Sequence, residues 1–81
     1  MNKELEVFEL QSDDEFIELN NLMKRVGWVA TGGEAKMAIK EGKVQVNGEV
    51  EHRIRKKMRN GETAEFDELT IRIGSNQLKK D

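Results

Sequence analysis

Residues 31–48 read TGGEAKMAIKEGKVQVNG, and this stretch decides the fold because its periodicity changes halfway along. Thr31 and Glu34 have the spacing of a capping box, in which a hydroxyl and a carboxylate satisfy amide groups at the start of a helix. The sequence therefore predicts a helix that begins near Thr31 and stops at Gly42. Its inward face is predicted to carry Ala35, Ala38 and Ile39.

The second half of this stretch has the alternation of a strand. Residues 43–46 alternate between polar and apolar side chains, and Asn47-Gly48 is the dipeptide most typical of a two-residue hairpin turn. The return strand is predicted to begin at residues 49–50. A turn at residues 60–61 is then expected to lead into a last hairpin, formed by residues 63–66 and 69–73.

Upstream, residues 5–10 alternate loosely and predict a first strand at an edge of the sheet. Ser12 and Glu15 form another pair with capping-box spacing, so a first helix is predicted to begin there. Gly27 is predicted to end this helix in the left-handed conformation, with Trp28 packed back onto the helix. The apolar stripe of the helix is predicted to be Phe16, Leu19, Leu22, Met23 and Val26.

This order of elements predicts an α+β fold. Two antiparallel-packed helices are expected on one face of a small, mainly antiparallel sheet of short strands. With 81 residues, the chain is expected to form a single domain over residues 1–81, of which the polar residues 74–81 are expected to fray. All the aromatic side chains are predicted to lie in the core, namely Phe8, Phe16, Trp28 and Phe66.

The composition argues against an enzyme. The chain has one histidine, no cysteine and no serine–histidine–acid arrangement, so we expect no catalytic residue, no metal site, no cofactor and no small-molecule substrate. The acidic N-terminus lacks the apolar segment of a signal peptide, and the longest apolar run, residues 26–30, is far too short to span a membrane. Because no cysteine is present to form a disulfide, we expect a cytoplasmic protein.

Charge is segregated along the chain. Residues 1–23 hold one base and seven acids, residues 24–59 hold ten bases and four acids, and residues 60–81 hold three bases and five acids. The middle segment therefore has a net charge of +6 in a chain whose net charge is −2. A segment of this kind attracts polyanions, although clustering by chance on a solvated surface is the simpler alternative.

Two groups of bases within this segment favour an anion-binding surface. Lys36 and Lys40 lie four residues apart on the predicted second helix, and no acid lies three or four residues from either lysine. Residues 53–59 read RIRKKMR and, if extended, place four bases on one side and Ile54 and Met58 on the other. The predicted basic surface consists of Lys24, Arg25, Lys36, Lys40, Lys43, Arg53, Arg55, Lys56, Lys57 and Arg59.

Taken together, these motifs resemble the S-four RNA-binding domain, the module named after small-subunit ribosomal protein four. Its pattern is a leucine-rich helix, a glycine, a serine or threonine that opens a second helix with alanine four residues on, and a glycine-x-valine-x-valine-asparagine-glycine hairpin. The matching residues are Leu19, Leu22, Gly27, Thr31, Ala35, residues 42–48 and Gly61-Glu62. Within the family the chain is most similar, at residues 27–28 and 33–42, to the short YbcJ-type proteins, bacterial S-four-like domains that stand alone.

The resemblance implies an αL-type RNA-binding fold whose ligand is a structured RNA, of ribosomal or transfer RNA type. The ten bases are then the predicted RNA-binding residues, and we expect a monomer, with association with the ribosome as one expected context. Many members have an arginine directly after the serine or threonine, where this chain has Gly32, and the role of that arginine is transferred here to Lys36. The alternative function is a protein–protein interaction module that docks an acidic partner or a ribosomal protein.

Overall fold

The computed structural model of this protein describes residues 5–11 and 13–75. The α+β fold class predicted from the sequence is confirmed. Neither of the two helices in this part of the chain has the length and apolar character needed to cross a membrane. The elements follow one another as β1 (Leu5–Leu10), β2 (Ile17–Glu18), α1 (Leu19–Arg25), α2 (Gly32–Lys40), β3 (Val44–Val46), β4 (Glu49–Val50), β5 (Lys57–Met58), β6 (Thr63–Phe66) and β7 (Leu69–Ser75).

Five of the strands form one sheet in the order β1-β7-β6-β3-β4. The pairing of β1 with β7 is parallel, and the other three pairings in this sheet are antiparallel. The mainly antiparallel sheet and the edge position of β1 agree with the predictions from the sequence. The two remaining strands, β2 and β5, pair with each other, so that Ile17 lies opposite Met58 and Glu18 lies opposite Lys57.

The predicted hairpin between β3 and β4 is confirmed. Asn47 and Gly48 both have positive φ angles, of 54° and 88°, which is the conformation that a type I′ turn requires. The turn is also joined to the neighbouring strand, because the Asn47 Oδ1 atom accepts a hydrogen bond of 3.0 Å from the backbone N–H of Thr63.

The start and end of α2 also agree with the sequence. Thr31 Oγ1 accepts a 3.1 Å hydrogen bond from the N–H of Glu34, as expected of an N-cap residue. The Glu34 carboxylate differs slightly from the capping-box pattern, because it accepts from the N–H of Ala30, at 2.8 Å, one residue earlier than predicted. At the other end, Gly42 follows the helix with a φ of 79°.

The predicted start of the first helix is wrong. Ser12 lies outside the described residues, whereas Ile17 and Glu18 form a strand, and α1 begins only at Leu19. Tertiary hydrogen bonds take the place of a side-chain cap. The N–H of Leu19 donates to the carbonyl of Lys56 at 2.8 Å, and that of Asn20 donates to the carbonyl of Ile54 at 3.1 Å. Two of the unpaired amides at the helix start are therefore satisfied by a distant loop.

The predicted end of α1 is confirmed in detail. Gly27 has a φ of 84°, its N–H donates to the carbonyl of Lys24 at 3.2 Å, and the N–H of Trp28 donates to the carbonyl of Met23 at 2.9 Å. These two hydrogen bonds are those of a Schellman motif, so local sequence sets the point at which the helix stops.

The core lies between the two helices and one face of the large sheet, and its buried side chains include the predicted Ala35, Ala38 and Ile39. The prediction that every aromatic side chain lies in the core is wrong. Phe8, Trp28 and Phe66 are only partly buried against the core, and Phe16 is half-buried away from it. The buried residues are Leu10, Leu19, Leu22, Met23, Ala35, Ala38, Ile39, Val44, Val46, Met58, Ala64, Ile71 and Ile73.

The C-terminal boundary needs one correction. Gly74 and Ser75, which were expected to belong to a frayed tail, continue strand β7 and pair with Glu9 and Leu10 of β1. Their backbone is held because the parallel partner strand β1 runs alongside them to its own end. Residues 76–81, the rest of the predicted tail, lie outside the described residues.

Candidate functional site

The segment of residues 51–59 connects the ends of both helices. His52 approaches the C-terminal end of α2, where its Nε2 atom lies 3.8 Å from the position that a Cβ atom on Gly42 would occupy. Further along, the carbonyls of Ile54 and Lys56 accept the first amides of α1, as described above. The segment therefore follows a path that the backbone fixes at several points, although it contains only the two-residue strand β5.

Two apolar side chains anchor this segment, as the sequence predicted. Met58 is fully buried in the core, and Ile54 packs against the core from its edge. Of the bases in the segment, only Lys56 is not exposed. The alternation that was predicted for an extended segment is preserved at its C-terminal half, where exposed Lys57 and Arg59 flank the buried Met58.

An open hollow of about 420 Å³ lies on this segment, and all the residues that line it within the described part of the chain are basic. We call it the basic hollow, and it is formed by Arg53, Arg55, Lys56, Lys57 and Arg59. All five belong to the basic surface that was predicted from the sequence. Positive charges this close to one another repel, and that repulsion is reduced when an anion lies between them.

Some bases of the hollow already have acidic partners. Arg53 Nε lies 2.9 Å from Glu51 Oε2, and this side-chain hydrogen bond lowers the pKa of Glu51 below its ordinary value. Arg59 lies 4.0 Å from the exposed carboxylate of Glu15, which is a weak contact. Outside the hollow, Lys43 pairs with Glu41 at 3.2 Å. Local sequence spacing on α2 did not show that pair, because Glu41 follows the helix.

Lys56 has a structural role. Its Nζ atom lies 3.2 Å from Glu62 Oε2, and only 18% of the Lys56 side chain is exposed. Burial raises the pKa of Glu62, but hydrogen bonds from the N–H of Arg59 and from Lys56 outweigh that effect and hold the pKa below its ordinary value. Glu62 also accepts a hydrogen bond from the Asn47 side chain. This carboxylate therefore joins the basic segment to the β3–β4 turn.

A base at the end of α1 lies beside the start of a row of bases on α2. Gly32, Lys36 and Lys40 are spaced four residues apart on α2 and so share one side of the helix. At the start of this row, the Nζ atom of Lys24 lies 3.9 Å from the position that a Cβ atom on Gly32 would occupy. The role of the family arginine was transferred to Lys36 from the sequence. Among the described residues, Lys24 is the base whose charge lies closest to position 32.

A second concavity, of about 460 Å³, lies between β1 and α1. We call it the aromatic pocket, and its walls include Phe8, Gln11, Phe16, Asn21, Lys24 and Arg25. Phe16 also joins it to the basic hollow, because Lys57 Nζ and the Arg59 guanidinium lie 5.0 and 5.3 Å from the centre of the Phe16 ring. This half-exposed position of Phe16 was not expected from the sequence, because helical spacing placed Phe16 on the apolar stripe of α1.

Nine of the ten predicted bases thus lie in three groups: the row on α2, the end of α1 and the basic hollow. The tenth, Lys43, follows α2 and pairs with Glu41. Six of the ten bases form no ion pair with any residue in 5–11 or 13–75, namely Lys24, Arg25, Lys36, Lys40, Arg55 and Lys57. The four others are partnered to differing extents, and Lys56 is the most completely enclosed of them. The unpartnered bases are the ones free to meet an external anion.

Comparisons with known proteins agree with this architecture. The family model described as S4 domain matches residues 8–74, which include both concavities. The Escherichia coli (strain K12) protein named "Putative RNA-binding protein YbcJ" is 42% identical over 57 residues, which are 70% of this chain and 81% of that protein. The YbcJ protein of Shigella flexneri gives the same values.

A solved structure is similar over nearly the whole chain. It is the solution structure of YbcJ from E. coli, which is described as revealing an αL motif involved in RNA binding. Its TM-score is 0.67 and its sequence identity 36%, with 91% of this chain and 90% of that chain covered. The resemblance that the sequence motifs indicated is therefore confirmed, and this chain belongs to the S4 domain family.

Proposed function

We propose that this chain binds a structured RNA, of ribosomal or transfer RNA type, by gripping its backbone phosphates. The observation that carries the proposal is the basic hollow, whose lining residues among those described are all arginine or lysine. Guanidinium groups fit phosphate oxygens in a two-pronged geometry, and an ammonium group supplies a mobile point charge. Phosphate contacts of this kind supply most of the affinity of proteins for nucleic acids.

Two further findings support RNA as the ligand. The E. coli relative is named as an RNA-binding protein, and its solution structure is described by a motif involved in RNA binding. The bases that have no acidic partner among the described residues also lie in the hollow, at Lys24 and along α2, and an extended arrangement of this kind suits a phosphate backbone. An extended row of cations attracts a polyanion more strongly than a single small anion, because a polyanion can contact several of the cations at once.

Binding of a folded RNA hairpin, compared with an unstructured strand of equal length, tests the proposal directly. Fluorescence anisotropy with the full chain is expected to show tighter binding of the hairpin, because the bases are fixed on helices and an anchored segment. Equal affinity for both RNAs would contradict recognition of a structured RNA. Recovery from cells of a protein complex that survives both high salt and RNase would instead support the protein-interaction alternative.

The affinity is expected to fall steeply as salt concentration rises. Each phosphate contact releases about 0.7–0.9 of a counterion, so four to six contacts give a slope of about −3 to −5 in a plot of log affinity against log salt. The measurement is the dissociation constant for one hairpin at several salt concentrations. A slope near zero would show that backbone phosphates are not what the protein holds.

Replacement of both Lys36 and Lys40 by alanine separates RNA binding from folding. The double variant is expected to bind RNA about tenfold or more weakly, since a phosphate contact contributes on the order of 1 kcal/mol. It is expected to unfold at the same or slightly higher urea concentration, because the change removes a like-charge pair worth roughly 0.2–0.5 kcal/mol and introduces a better helix former. Both lysines are exposed and have no ion-pair partner within the described ranges.

The matched control is Arg72→Ala, which removes an exposed base from the face of β7 opposite the buried Ile71 and Ile73. Alternation along the strand places Arg72 on the side of the sheet away from the helices. Its removal is expected to change the RNA affinity by less than about twofold, since a distant exposed charge acts only through screened interactions. A double lysine variant with unchanged affinity would show that the α2 row is not part of the interface.

A further inference from the structure

We propose that the aromatic pocket receives one unstacked nucleobase of the bound RNA. The phosphates on either side of this nucleobase would contact the neighbouring lysine and arginine side chains. This inference rests on the proposed function and adds to it a site for a single nucleotide. The pocket has a volume of about 460 Å³, within the roughly 300–1,000 Å³ that is usual for small-molecule sites.

The two concavities differ in the charges of their lining residues, so each suits a different part of a nucleotide. Within residues 5–11 and 13–75, only arginine and lysine line the basic hollow, whereas the charged residues that line the aromatic pocket are two acids, Asp14 and Glu18, and two basic residues, Lys24 and Arg25. A phosphate group inside this pocket would meet carboxylates, which makes the pocket a poor phosphate site. A nucleobase is neutral and carries amino and imino groups that donate hydrogen bonds to carboxylate oxygens.

Two aromatic rings and a guanidinium group line the pocket. They are the rings of Phe8 and Phe16 and the guanidinium of Arg25, which lies 5.5 Å from the centre of the Phe8 ring. Bases taken out of an RNA stack are commonly held against aromatic rings and guanidinium planes. Gln11 and Asn21 add side-chain amides, which both donate and accept hydrogen bonds at the edge of a base.

The position of Phe16 ties the pocket to the phosphate-binding surface. Lys57 Nζ lies 5.0 Å and the Arg59 guanidinium 5.3 Å from the centre of its ring, and both belong to the basic hollow. On the far side, Lys24 extends from the pocket to the start of the row on α2. A nucleotide whose nucleobase enters the pocket therefore has cations nearby for the phosphates before and after it, namely Lys57 and Arg59 of the hollow and Lys24 of α1.

The inference is tested with two RNA hairpins that differ only in the presence of one nucleobase. Both carry a single-nucleotide bulge, which is an adenosine in one hairpin and an abasic sugar at the same place in the other. The full chain is expected to bind the adenosine hairpin about tenfold more tightly, because stacking of one base contributes on this scale. Phe16→Leu keeps an apolar side chain but removes the flat ring, so it is expected to bind both hairpins equally. Arg55→Ala is expected to weaken the binding of the two hairpins by the same factor.

A second measurement avoids dependence on one RNA sequence. Titration of the isotope-labelled full chain with adenosine 5′-monophosphate is expected to shift the backbone NMR signals of Gln11, Phe16 and Asn21. Inorganic phosphate is expected to leave these three signals in place and to shift signals of residues 53–59. Equal binding of both hairpins, or equal response of the pocket signals to nucleotide and phosphate, would overturn the inference. No binding of either hairpin would instead contradict the proposed function on which it rests.

Discussion

Replacement of both Arg55 and Lys57 by alanine is expected to weaken RNA binding by between about 30-fold and 150-fold. Both side chains line the basic hollow, both are exposed, and neither forms an ion pair with another residue of the described chain. Charge-assisted contacts of an arginine and a lysine with phosphate are each worth on the order of 1–1.5 kcal/mol, which together give this loss. The measurement is the dissociation constant for a folded hairpin at fixed salt concentration.

The same double variant is expected to remain folded. The contact that the folded protein loses is the cation–π contact of Lys57 with Phe16, which is worth about 0.5–1 kcal/mol at an exposed position. The Arg72→Ala variant again serves as the control for loss of an exposed base on the opposite face of the sheet. If the Arg55 and Lys57 variant bound RNA as tightly as the unaltered chain, the basic hollow would not be the phosphate site.

Met58→Ala is expected to destabilise the protein by about 2–5 kcal/mol, the usual cost of truncating a large buried side chain and leaving a cavity. Met58 is fully buried and lies opposite Ile17 in the β2–β5 pair. A domain of 81 residues has a total stability of about 4–12 kcal/mol, so the loss is a large part of it. The free energy of unfolding, measured in urea, gives the result.

The chain supplies a matched control for this substitution. Met37→Ala removes the same atoms from α2, but 60% of Met37 is exposed, so the expected change is within about 0.5 kcal/mol. Met58→Ala is also expected to weaken RNA binding under conditions where the variant stays folded, because Met58 anchors the segment that carries Lys57 and Arg59. Similar stabilities of the two variants would show that Met58 does not anchor that segment.

Much of the fold was predictable because its signals act over a few residues. Thr31 caps α2, Gly27 and Gly42 end the two helices, and Asn47-Gly48 forms the hairpin turn, all as the sequence indicated. Each of these features depends on a backbone conformation or a hydrogen bond between near neighbours in the chain. The alternation in residues 53–59 likewise identified Ile54 and Met58 as the anchors of the basic segment.

The errors concern contacts between distant parts of the chain. The first helix starts late because Ile17 and Glu18 pair with Lys57 and Met58, and because loop carbonyls satisfy the amides of Leu19 and Asn20. The same pairing leaves Phe16 outside α1 and beside the cations of the hollow. No local pattern in residues 12–19 encodes these partners, which lie far along the sequence.

By itself, the sequence determined the fold class, the family, the order of the elements other than β2 and β5, and the set of bases that carry the positive charge of the protein. Local periodicity and charge composition are sufficient for that, because they do not depend on how the elements are arranged in space. Only the tertiary structure decided which bases are available. It pairs Lys56 with Glu62 and Arg53 with Glu51, and it places Lys24 beside Gly32. The availability of a charge depends on its neighbours in space, and only packing brings those neighbours together.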